Sequence, residues 1–400
     1  MTERFSPLSG IRVIDLSKVL AGPLCTQYLG DLGADVIKIE PCGGDDTRAW
    51  PPFSGRDGAV YLSVNKNKRS LAINLKTDAG KRVVQNLVAD ADVLVESFRT
   101  GVTQRLGIDY DTMTKVKPDL IYASISGFGR SGPLAKEPGY DMMIQAFSGI
   151  MSITGEKGGG PVRSAFSPLD QTTGVHTALG ILAALRHRDQ TGQGQLIEAS
   201  LYETALSFLG YPSQIYWTNG VQPKRLGSGH ESVCPYQAFK ASDGYILIAV
   251  GNDPLWKKLC SVLGYEELVD DPRYATNAAR VENFDETVGL VADKVRNLTA
   301  EECAARLSEA GVPNSLLHSI EQSLNHPQAQ ARDMISKMPH PAVGEINALS
   351  MPLLFDGYDR KPRTAPPMLG EHTVELLEEA GLMRSEIDDL LRDGTALAAD

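Results

Sequence analysis

The sequence predicts an α/β protein in which a doubly wound parallel sheet forms a large domain and a smaller α+β domain is joined to it by long linkers. In the first half of the chain, apolar strand patterns alternate with helix patterns, which is typical of a parallel sheet. After residue 230, a hairpin pattern is followed by several helices, which indicates the second domain. The 400 residues, 42% of them hydrophobic, are sufficient for two cores.

The first βαβ unit occupies the start of the chain. Gly10–Leu16 has a strand pattern, a helix with Pro23 near its first position runs to about Leu32, and Ala34–Glu40 has the pattern of a second strand. A right-handed crossover makes the two strands parallel, so this beginning is Rossmann-like. A dinucleotide site needs a Gly-x-Gly-x-x-Gly turn, but Leu16–Pro23 contains a single glycine, so NAD and FAD binding is disfavoured.

The alternation of strands and helices continues through residues 1–210, which we assign to the first part of the large domain. The further elements are predicted as strand Ser70–Leu75, helix Thr77–Ala89, strand Asp92–Glu96, helix Tyr110–Val116, strand Leu120–Ser124, a helix after Asp170, strand Leu196–Ser200 and helix Tyr202–Leu209. These strands complete the doubly wound sheet.

The rest of the chain divides into three predicted regions. Residues 211–230 are rich in Pro, Gly, Ser and Gln and predict a linker with a glycine loop, residues 231–325 predict the small α+β domain, and residues 326–400 predict a return linker and the C-terminal part of the large domain. The predicted elements are a hairpin of Tyr236–Lys240 and Tyr245–Val250, helices Pro254–Leu263, Phe284–Arg296 and Thr299–Ala310, a strand near Asn314–Leu317, and helices Thr373–Ala380 and Arg384–Leu391.

Charge and cysteine content exclude several function classes. The net charge of −11 and the scattered positive residues leave no basic stripe for a phosphate backbone, so we expect no nucleic acid partner. Five widely spaced cysteines without a Cys-x-x-Cys pair indicate reduced thiols and no metal site. The first residues lack a signal-peptide pattern, and no segment is long enough to cross a bilayer. We therefore expect a cytoplasmic protein without a membrane partner.

Asp170 stands where a long helix is expected to begin. The helix pattern consists of apolar residues at spacings of three and four, namely Val175, Ala178, Leu179, Leu182 and Leu185. Unpaired N–H groups at the amino end of a helix favour the ionised form of a carboxylate, and an ionised, accessible carboxylate can act as a nucleophile. Because Asp is also a preferred N-cap, capping alone is the competing interpretation of this residue.

Several sequence blocks together resemble one enzyme family, the class III coenzyme A transferases of CaiB/BaiF type, which includes formyl-CoA transferases, carnitine CoA-transferases and 2-methylacyl-CoA racemases. The resemblance covers nearly the whole chain, and no single block carries it. The blocks are Leu16–Glu40 with its turn Val19–Pro23, Asn67–Ser70, Leu94–Arg99, Arg105–Gly107, Ser126–Pro133, Pro138–Asp141, Asp170 with its helix, Thr191–Gln195 and Pro366–Thr373.

The resemblance implies covalent chemistry at Asp170, which occupies the position of the family's nucleophile. Attack on an acyl-CoA gives a mixed anhydride, and the returning CoA thiolate gives an aspartyl-CoA thioester, which the acceptor acid then attacks. Coenzyme A is thus a co-substrate, and no cofactor is bound permanently. The implied partners are acyl-CoA and small carboxylic acids, and the implied assembly is an interlocked homodimer.

The resemblance also implies a CoA site. The backbone N–H groups of Val19, Leu20 and Ala21 would meet a substrate oxygen, and because Leu20 has no side-chain donor, any oxyanion support must come from the backbone. Phe98 would offer an apolar face to the CoA. Lys76 and Arg105 would pair with phosphates, although each alone is more typical of a solvated surface charge. The implied lining of the nucleotide and pantetheine is Ile73, Asn74, Leu75, Lys76, Ser97, Phe98, Arg99 and Arg105.

The resemblance places Tyr140 and Asp141 beside the CoA tail near Asp170. Racemases of the family carry a His at the position of Tyr140, so that a His and an Asp can exchange an α-proton. A phenol with an ordinary pKa of about 10 is a poorer proton shuttle near neutrality. The sequence therefore favours transfer over racemisation, while simple packing at a strand end is the alternative interpretation of Tyr140.

A glycine loop at Gly227, Ser228 and Gly229 has two interpretations. In the family, a loop near this position covers the active site while the reactive intermediates exist, whereas an ordinary linker turn is the commoner use of such glycines. His230 follows the loop and either contacts the substrate or hydrogen-bonds the hinge.

The sequence thus predicts an acyl-CoA:carboxylate CoA-transferase. Arg163, seven residues before Asp170, suggests dicarboxylate substrates such as succinyl-CoA, because a guanidinium can hold a distal carboxylate through two hydrogen bonds. A surface position of Arg163 is the alternative. Two other functions stay open at this point: a 2-methylacyl-CoA racemase, and a non-catalytic acyl-CoA-binding protein that would tolerate the loss of Asp170.

Overall fold

The computed structural model describes residues 6–399, which form two compact units. The first unit contains the residues up to Ser148, Ser164–Gly210 and the residues from Pro327 onward. The second unit contains Gly149–Arg163 and Tyr211–His326.

The strands are β1 (Arg12–Leu16), β2 (Asp35–Glu40), β3 (Phe53–Ser54), β4 (Asp57–Gly58), β5 (Lys68–Ile73), β6 (Val93–Glu96), β7 (Ile121–Ser126), β8 (Gln195–Ser200), β9 (Tyr236–Lys240), β10 (Tyr245–Ala249), β11 (Asn314–Leu316), β12 (Ile335–His340), β13 (Gly344–Leu349) and β14 (Ala396–Leu397). The α-helices are α1 (Ala21–Asp31), α2 (Ala59–Ser63), α3 (Asp78–Ala89), α4 (Val102–Leu106), α5 (Tyr110–Val116), α6 (Asp141–Phe147), α7 (Ile150–Ile153), α8 (Pro168–Thr191), α9 (Leu201–Phe208), α10 (Gly210–Asn219), α11 (Asp253–Leu263), α12 (Asn277–Glu282), α13 (Phe284–Val295), α14 (Ala300–Glu309), α15 (Ile320–Leu324), α16 (Pro327–Ala331), α17 (Thr373–Glu379) and α18 (Arg384–Arg392). Short 3₁₀ helices lie at Asp46–Ala49 and Glu266–Leu268.

The first unit is built on a seven-stranded sheet in the order β14-β5-β2-β1-β6-β7-β8. Neighbouring strands pair in parallel, except that β14 pairs antiparallel with β5. This confirms the predicted α/β fold class. The chain enters the sheet at β1, extends to β2 and β5 on one side, and then extends to β6, β7 and β8 on the other. In such sheets, ligands bind beyond the carboxyl ends of the strands where the strand order reverses, so the turns after β1 and β6 are expected to meet at a site.

The two faces of the sheet carry different layers. Ile14 and Leu16 of β1 face a core formed with buried residues of α3, α5, α17 and α18. Because strand side chains alternate, Val13 and Asp15 face the opposite side, where Thr26 of α1 bonds to Asp15. There α1 packs along α8. The second layer therefore places the start of α1 beside the start of α8.

Helix α8 buries only part of its apolar pattern: Ala178 and Leu185 are buried as expected, but two other residues of the pattern are not. Val175 and Leu179 are 44% and 65% exposed. The buried face also contains small and polar residues, namely Thr173, Gly174 and Thr177. The missing side chain of Gly174 allows the backbone of α8 to approach α1 closely, because a Cβ there would lie 2.5 Å from the Ala21 carbonyl oxygen.

Two regions predicted as linkers contain regular structure. Helix α10 occupies the start of the predicted linker 211–230, because Pro212 lies in the first turn, where its missing N–H and fixed φ are compatible with a helix. The return segment contains the antiparallel hairpin of β12 and β13. The buried residues of β12 alternate along the strand and are Ser336, Met338 and His340. Because two of these three are polar, the sequence lacks the apolar alternation that predicts a strand.

The second unit has an antiparallel sheet in the order β11-β10-β9, packed with helices α11, α13 and α14 around a core that includes Ile246, Ile248 and Trp256. The prediction that Gly149–Arg163 belongs to the large domain is wrong. This segment lies in the second unit because Gly227 N–H donates to Gly155 O at 2.8 Å and Lys157 Nζ donates to Asp285 Oδ1 of helix α13 at 2.6 Å.

Among the helices of residues 6–399, none is both long and apolar enough to cross a bilayer.

Candidate active site

Asp170 lies in the first turn of helix α8, three residues after Ser167, which is the N-cap and adopts a left-handed φ of 52°. The N–H groups of Leu169 and Asp170 donate to Oδ2 of Asp141 at 2.8 and 3.1 Å. The capping interpretation of Asp170 is therefore wrong, because a carboxylate from the start of α6 accepts these bonds. The Asp170 side chain is left available for another role.

Asp141 is held firmly in this capping position. It is buried, and Nε2 of the buried Gln145 donates to its Oδ1. Oε1 of Gln145 in turn accepts the N–H of Ser164 at 3.0 Å, within the segment that leads into α8. The start of α6 thus fixes the start of α8 through a chain of hydrogen bonds.

The environment of Asp170 raises the pKa of its carboxyl group, whereas the sequence predicted that the helix terminus would favour the ionised form. Burial, with the negative charge of Asp141 beside it, raises the pKa of Asp170 from 3.8 to about 7. The helix terminus was expected to favour the ionised form, but its first N–H groups are donated to Asp141. Asp170 consequently exchanges its proton near neutral pH.

A cavity of about 330 Å³ lies in front of Asp170 at the carboxyl ends of β1, β6 and β7. It brings together predicted residues that are up to 151 positions apart in the chain, namely Val19, Leu20, Ala21, Ser97, Phe98, Arg99, Tyr140 and Asp170. Tyr140 is 58% exposed and immediately precedes α6, so packing at the end of a strand does not explain it. Asp141 lies outside the cavity lining, beneath Asp170.

A second cavity of about 520 Å³ contains the other group of predicted CoA-site residues, namely Ile73, Asn74, Leu75, Lys76, Phe98 and Arg105. Phe98, Lys18 and Val102 line both cavities, so the two are adjacent. Lys81 also lines the second cavity and was not predicted. The lining of the second cavity contains five cationic side chains and three acidic ones, and Phe98 lies between this cavity and Asp170. Cationic side chains, an apolar ring and a carboxylate follow one another in the order of the phosphates, pantetheine and thioester of an acyl-CoA.

Phe98 is held by residues that sequence reasoning missed. Arg130 donates from Nη1 to Phe98 O at 2.7 Å and from Nη2 to Glu96 Oε1 at 2.8 Å, while Glu96 Oε2 accepts the Phe98 N–H at 2.8 Å. Arg130 lies in the sequence block Ser126–Pro133, but nothing in the sequence indicates its partner Glu96, 34 residues away.

Two loops that line the cavity of Asp170 contact each other at a pair of glycines. A Cβ at Gly127 would lie 2.6 Å from the Cα of Gly139, so neither loop tolerates a side chain at this contact. The contact brings the loop after β7 against the segment that carries Tyr140. Both glycines belong to sequence blocks of the family resemblance, Ser126–Pro133 and Pro138–Asp141. Their close approach explains why glycine is needed at both positions.

A buried charge cluster lies beneath the turn after β1. Lys68 Nζ is 3.0 Å from Oδ2 of Asp15, and both side chains are fully buried. Asp15 also accepts the Ser17 N–H at 3.0 Å and the Thr26 hydroxyl at 2.7 Å. These hydrogen bonds compensate for the burial of the two charges and tie the start of the turn to α1 and β5.

The predicted loop residues lie in the second unit. Gly227 adopts a φ of 64°, and Ser228 Oγ accepts the Ala238 N–H at 3.0 Å. The His230 ring stacks on Tyr211 at a centroid distance of 5.4 Å, and its Nδ1 accepts the Ser232 N–H. The loop is thus a hydrogen-bonded turn within its own unit. Arg163 also belongs to this unit.

Within residues 6–399, no group of three or more His, Cys, Asp or Glu side chains has an arrangement that would hold a metal ion.

Comparison with known proteins decides the family. The profile of CoA-transferase family III matches residues 8–373. The chain belongs to CoA-transferase family III. Succinate–glutarate CoA-transferase of Agrobacterium fabrum is 39% identical over 95% of this chain and 97% of its own, and human succinyl-CoA:glutarate CoA-transferase is 36% identical over 93% and 86%.

The structural comparison agrees with the sequence comparison. The crystal structure of a CaiB/BaiF family protein from Brucella suis superposes with a TM-score of 0.84 and is 37% identical, covering 94% of this chain and 100% of that one. The predicted family, the α/β fold class and the CoA-transferase activity are thereby confirmed. In this CoA-transferase, the two cavities and Asp170 form the candidate active site.

Proposed function

We propose that this CoA-transferase moves CoA from a short dicarboxylyl-CoA, such as succinyl-CoA, to a small dicarboxylic acid, such as glutarate. The relatives named above, from Agrobacterium and human, carry names that pair succinate with glutarate. The single observation that carries the mechanism is the position of Asp170, which faces a cavity, leaves helix capping to Asp141, and has a pKa of about 7.

The first half-reaction uses Asp170 as the nucleophile. A carboxylate oxygen of Asp170 attacks the acyl carbon of the donor, the C–S bond breaks, and CoA leaves as the thiolate. The product is a mixed anhydride between Asp170 and the donor acid. The thiolate then attacks the Asp170 carbonyl carbon, which releases the donor acid as a carboxylate and leaves an aspartyl-CoA thioester.

The second half-reaction runs the same steps in reverse with a new acid. The acceptor carboxylate attacks the aspartyl thioester and expels CoA thiolate, and the thiolate then attacks the acceptor acyl carbon. This step releases Asp170 as a free carboxylate together with the new acyl-CoA. Because each step exchanges one activated acyl group for another, the sequence requires neither ATP nor an additional reactant.

The cavity lining supports distinct roles for the CoA-site residues. Lys76 and Arg105 would bind the phosphates, and Phe98 would contact the pantetheine where the two cavities join. The N–H groups of Leu20 and Ala21 would stabilise the oxyanion that forms at the reacting carbonyl. The N–H of Val19 is already donated to Asp45, so the predicted role of Val19 as a donor is wrong.

Asp170→Asn tests the proposal most simply. We expect transfer of CoA from succinyl-CoA to glutarate to fall by at least about three orders of magnitude, because the amide cannot form the anhydride. Asp189→Asn is the matched control, since Asp189 is an exposed residue in the last turn of the same helix. Liquid chromatography of the acyl-CoA products measures the transfer. Undiminished transfer by the Asp170→Asn enzyme would refute the assignment of Asp170 as the nucleophile.

We also propose that two copies assemble as a homodimer. Exposed apolar side chains in the first unit support this proposal, because large exposed apolar patches mark interaction surfaces. Met142, Phe147 and Phe166 are 55%, 55% and 64% exposed. Light scattering in solution measures the assembly, and a particle with the mass of one chain would contradict it.

The role of Arg163 in holding a distal carboxylate stays a prediction.

A further inference from the structure

Val19 has an unusual backbone conformation at the edge of the candidate active site. Its φ is 71°, in the left-handed region that a β-branched residue avoids, and it lines the cavity of Asp170. In residues 6–399 only three other non-glycine residues have a positive φ, and one of them is Ser167 at the start of α8. Such outliers persist only where their surroundings force the conformation, and they cluster at functional sites.

The turn that contains Val19 is held by side chains. Val19 N–H donates to Asp45, at 3.2 Å from Oδ2 and 3.4 Å from Oδ1. The preceding N–H, from Lys18, donates to Ser97 Oγ at 3.1 Å. The carbonyl of Ser17 accepts a hydrogen bond from Lys38 Nζ at 3.1 Å. The conformation of this turn therefore depends on residues that lie far from it in sequence.

Asp45 and Lys38 form the central contact of this arrangement. Lys38 Nζ is 3.0 Å from Oδ2 of Asp45, and their side chains are 0% and 1% exposed. Oδ1 of Asp45 accepts the N–H and the hydroxyl of Thr47 at 3.0 and 2.8 Å. Burial opposes ionisation of Asp45, yet the ammonium of Lys38 lowers the pKa of this carboxyl below its ordinary value. The pair is thus a fixed, charged anchor.

The location of the anchor connects it with the reaction. Val19 is followed directly by Leu20 and Ala21, which form the start of helix α1 and line the cavity of Asp170. Neither residue has a side-chain donor. The direction of their N–H groups therefore depends on the backbone conformation of the residue before them.

We propose that Asp45 and Lys38 are positioning residues that hold Val19 in its left-handed conformation and so aim the Leu20 and Ala21 N–H groups at the reacting carbonyl. This inference rests on the proposed CoA transfer at Asp170. Both residues belong to the wall of the second cavity, but their side chains are 0% and 1% exposed, so Asp45 acts through its hydrogen bond to the Val19 N–H. Without the anchor, the turn relaxes toward a negative φ at Val19, and the N–H groups lose their alignment with the oxyanion.

A double-mutant cycle between Asp45 and Val19 tests the inference. We expect Asp45→Asn to lower kcat for succinyl-CoA and glutarate on the order of tenfold, with less change in the KM for succinyl-CoA, because orientation matters most in the transition state. In a Val19→Gly background the same change is expected to lower kcat less than about threefold, since glycine adopts a positive φ without steric cost.

Val19→Ala provides the matched control for the cycle. Alanine removes the same methyl groups as glycine but keeps the Cβ, so in this background Asp45→Asn still lowers kcat about tenfold. Equal effects of Asp45→Asn in the glycine and alanine backgrounds would overturn the inference. So would a loss of thermal stability with unchanged kcat, which is what a merely structural pair predicts.

Thr47→Val is a milder variant for the case in which Asp45→Asn does not fold. It removes one hydroxyl bond to Asp45 and retains the charge pair, and we expect kcat to fall about two- to fivefold. An unchanged kcat would contradict the inference. Failure of the proposed function is distinguishable, because the unmodified enzyme would then transfer no CoA in the same assay.

Discussion

Asp170 has a pKa that suits a carboxylate nucleophile. With a pKa of about 7 it is more basic than an ordinary aspartate, and basicity favours nucleophilic attack, while about half of the molecules carry the ionised form at neutral pH. The causes are burial and the charge of Asp141. Because Asp141 also caps helix α8, the same residue orients the nucleophile and adjusts its acidity.

The pH dependence of catalysis follows from this arrangement. We expect kcat/KM to rise with pH as Asp170 ionises, with an apparent pKa of about 7 in the free enzyme. Asp141→Asn removes the neighbouring charge but retains an oxygen for the helix N–H groups, so the apparent pKa should fall by about one unit. A pH profile from pH 5 to 9 measures both values.

The control for this profile is Asp189→Asn, which removes a charge at the far end of α8. In this variant kcat/KM should rise at the same pH as in the unmodified enzyme. A profile of the Asp141→Asn enzyme that superposes on that of the unmodified enzyme would contradict the assigned cause of the shift.

At the scale of elements, the contact between α1 and α8 places the nucleophile. A Cβ at Gly174 would lie 2.5 Å from the carbonyl oxygen of Ala21 and 3.3 Å from the N–H nitrogen of Cys25. The absence of a side chain lets the starts of the two helices approach. This approach brings Asp170 and the turn that ends at Ala21 to one cavity.

Gly174→Ala tests this contact. Alanine favours a helix more than glycine does, but here it must push α8 away from α1, and we expect a net loss of about 1–3 kcal/mol in the free energy of unfolding together with a lower kcat. Gly289→Ala in α13 is the matched control, because a Cβ there meets no atom within 4 Å and should stabilise by up to about 1 kcal/mol. Urea unfolding measures both, and stabilisation by Gly174→Ala would contradict the account.

Local sequence signals determined how well each element could be predicted. The strand–helix–strand segments near the start of the chain lie within about two residues of their predicted limits. The predicted helix Thr77–Ala89 begins one residue later, because Thr77 is its N-cap. Helix α10 was missed because a proline in the first turn was interpreted as part of a linker.

The sequence predicted most residues of the candidate site but not the residues that hold them in position. Family blocks indicated Asp170 and most of the cavity lining, including Phe98. The contact of Asp45 with Val19 and that of Asp141 with Leu169 join residues 26 and 28 positions apart in different elements. Periodicity reports only neighbours along one element, so such contacts require the fold.

At the scale of the whole molecule, Asp170 lowers the stability of the fold that positions it. Below pH 4 the carboxyl is protonated in the folded and the unfolded chain, so the shifted pKa has no effect on stability. Between pH 4 and about 7 the unfolded chain releases a proton that the folded chain retains, so stability falls as pH rises. Above pH 7 this loss is complete.

Asp170→Asn should therefore be more stable than the unmodified enzyme at high pH. We expect a gain on the order of 2 kcal/mol at pH 8, less than the full pKa shift implies because water partly screens the side chain, and little gain near pH 4. Denaturant unfolding at the two pH values measures it, with Asp189→Asn expected within about 0.5 kcal/mol of the unmodified enzyme. A gain that is equal at both pH values would show that the titration of Asp170 is not its cause.

The most direct test of covalent CoA exchange is the mass of the protein after incubation with succinyl-CoA in the absence of an acceptor acid. We predict an increase equal to the mass of CoA less one water, on the peptide that contains Asp170, and its loss when glutarate is added. The Asp170→Asn enzyme should show no such adduct. An adduct on another residue, or steady transfer of CoA without any adduct under conditions that trap thioesters, would contradict the account.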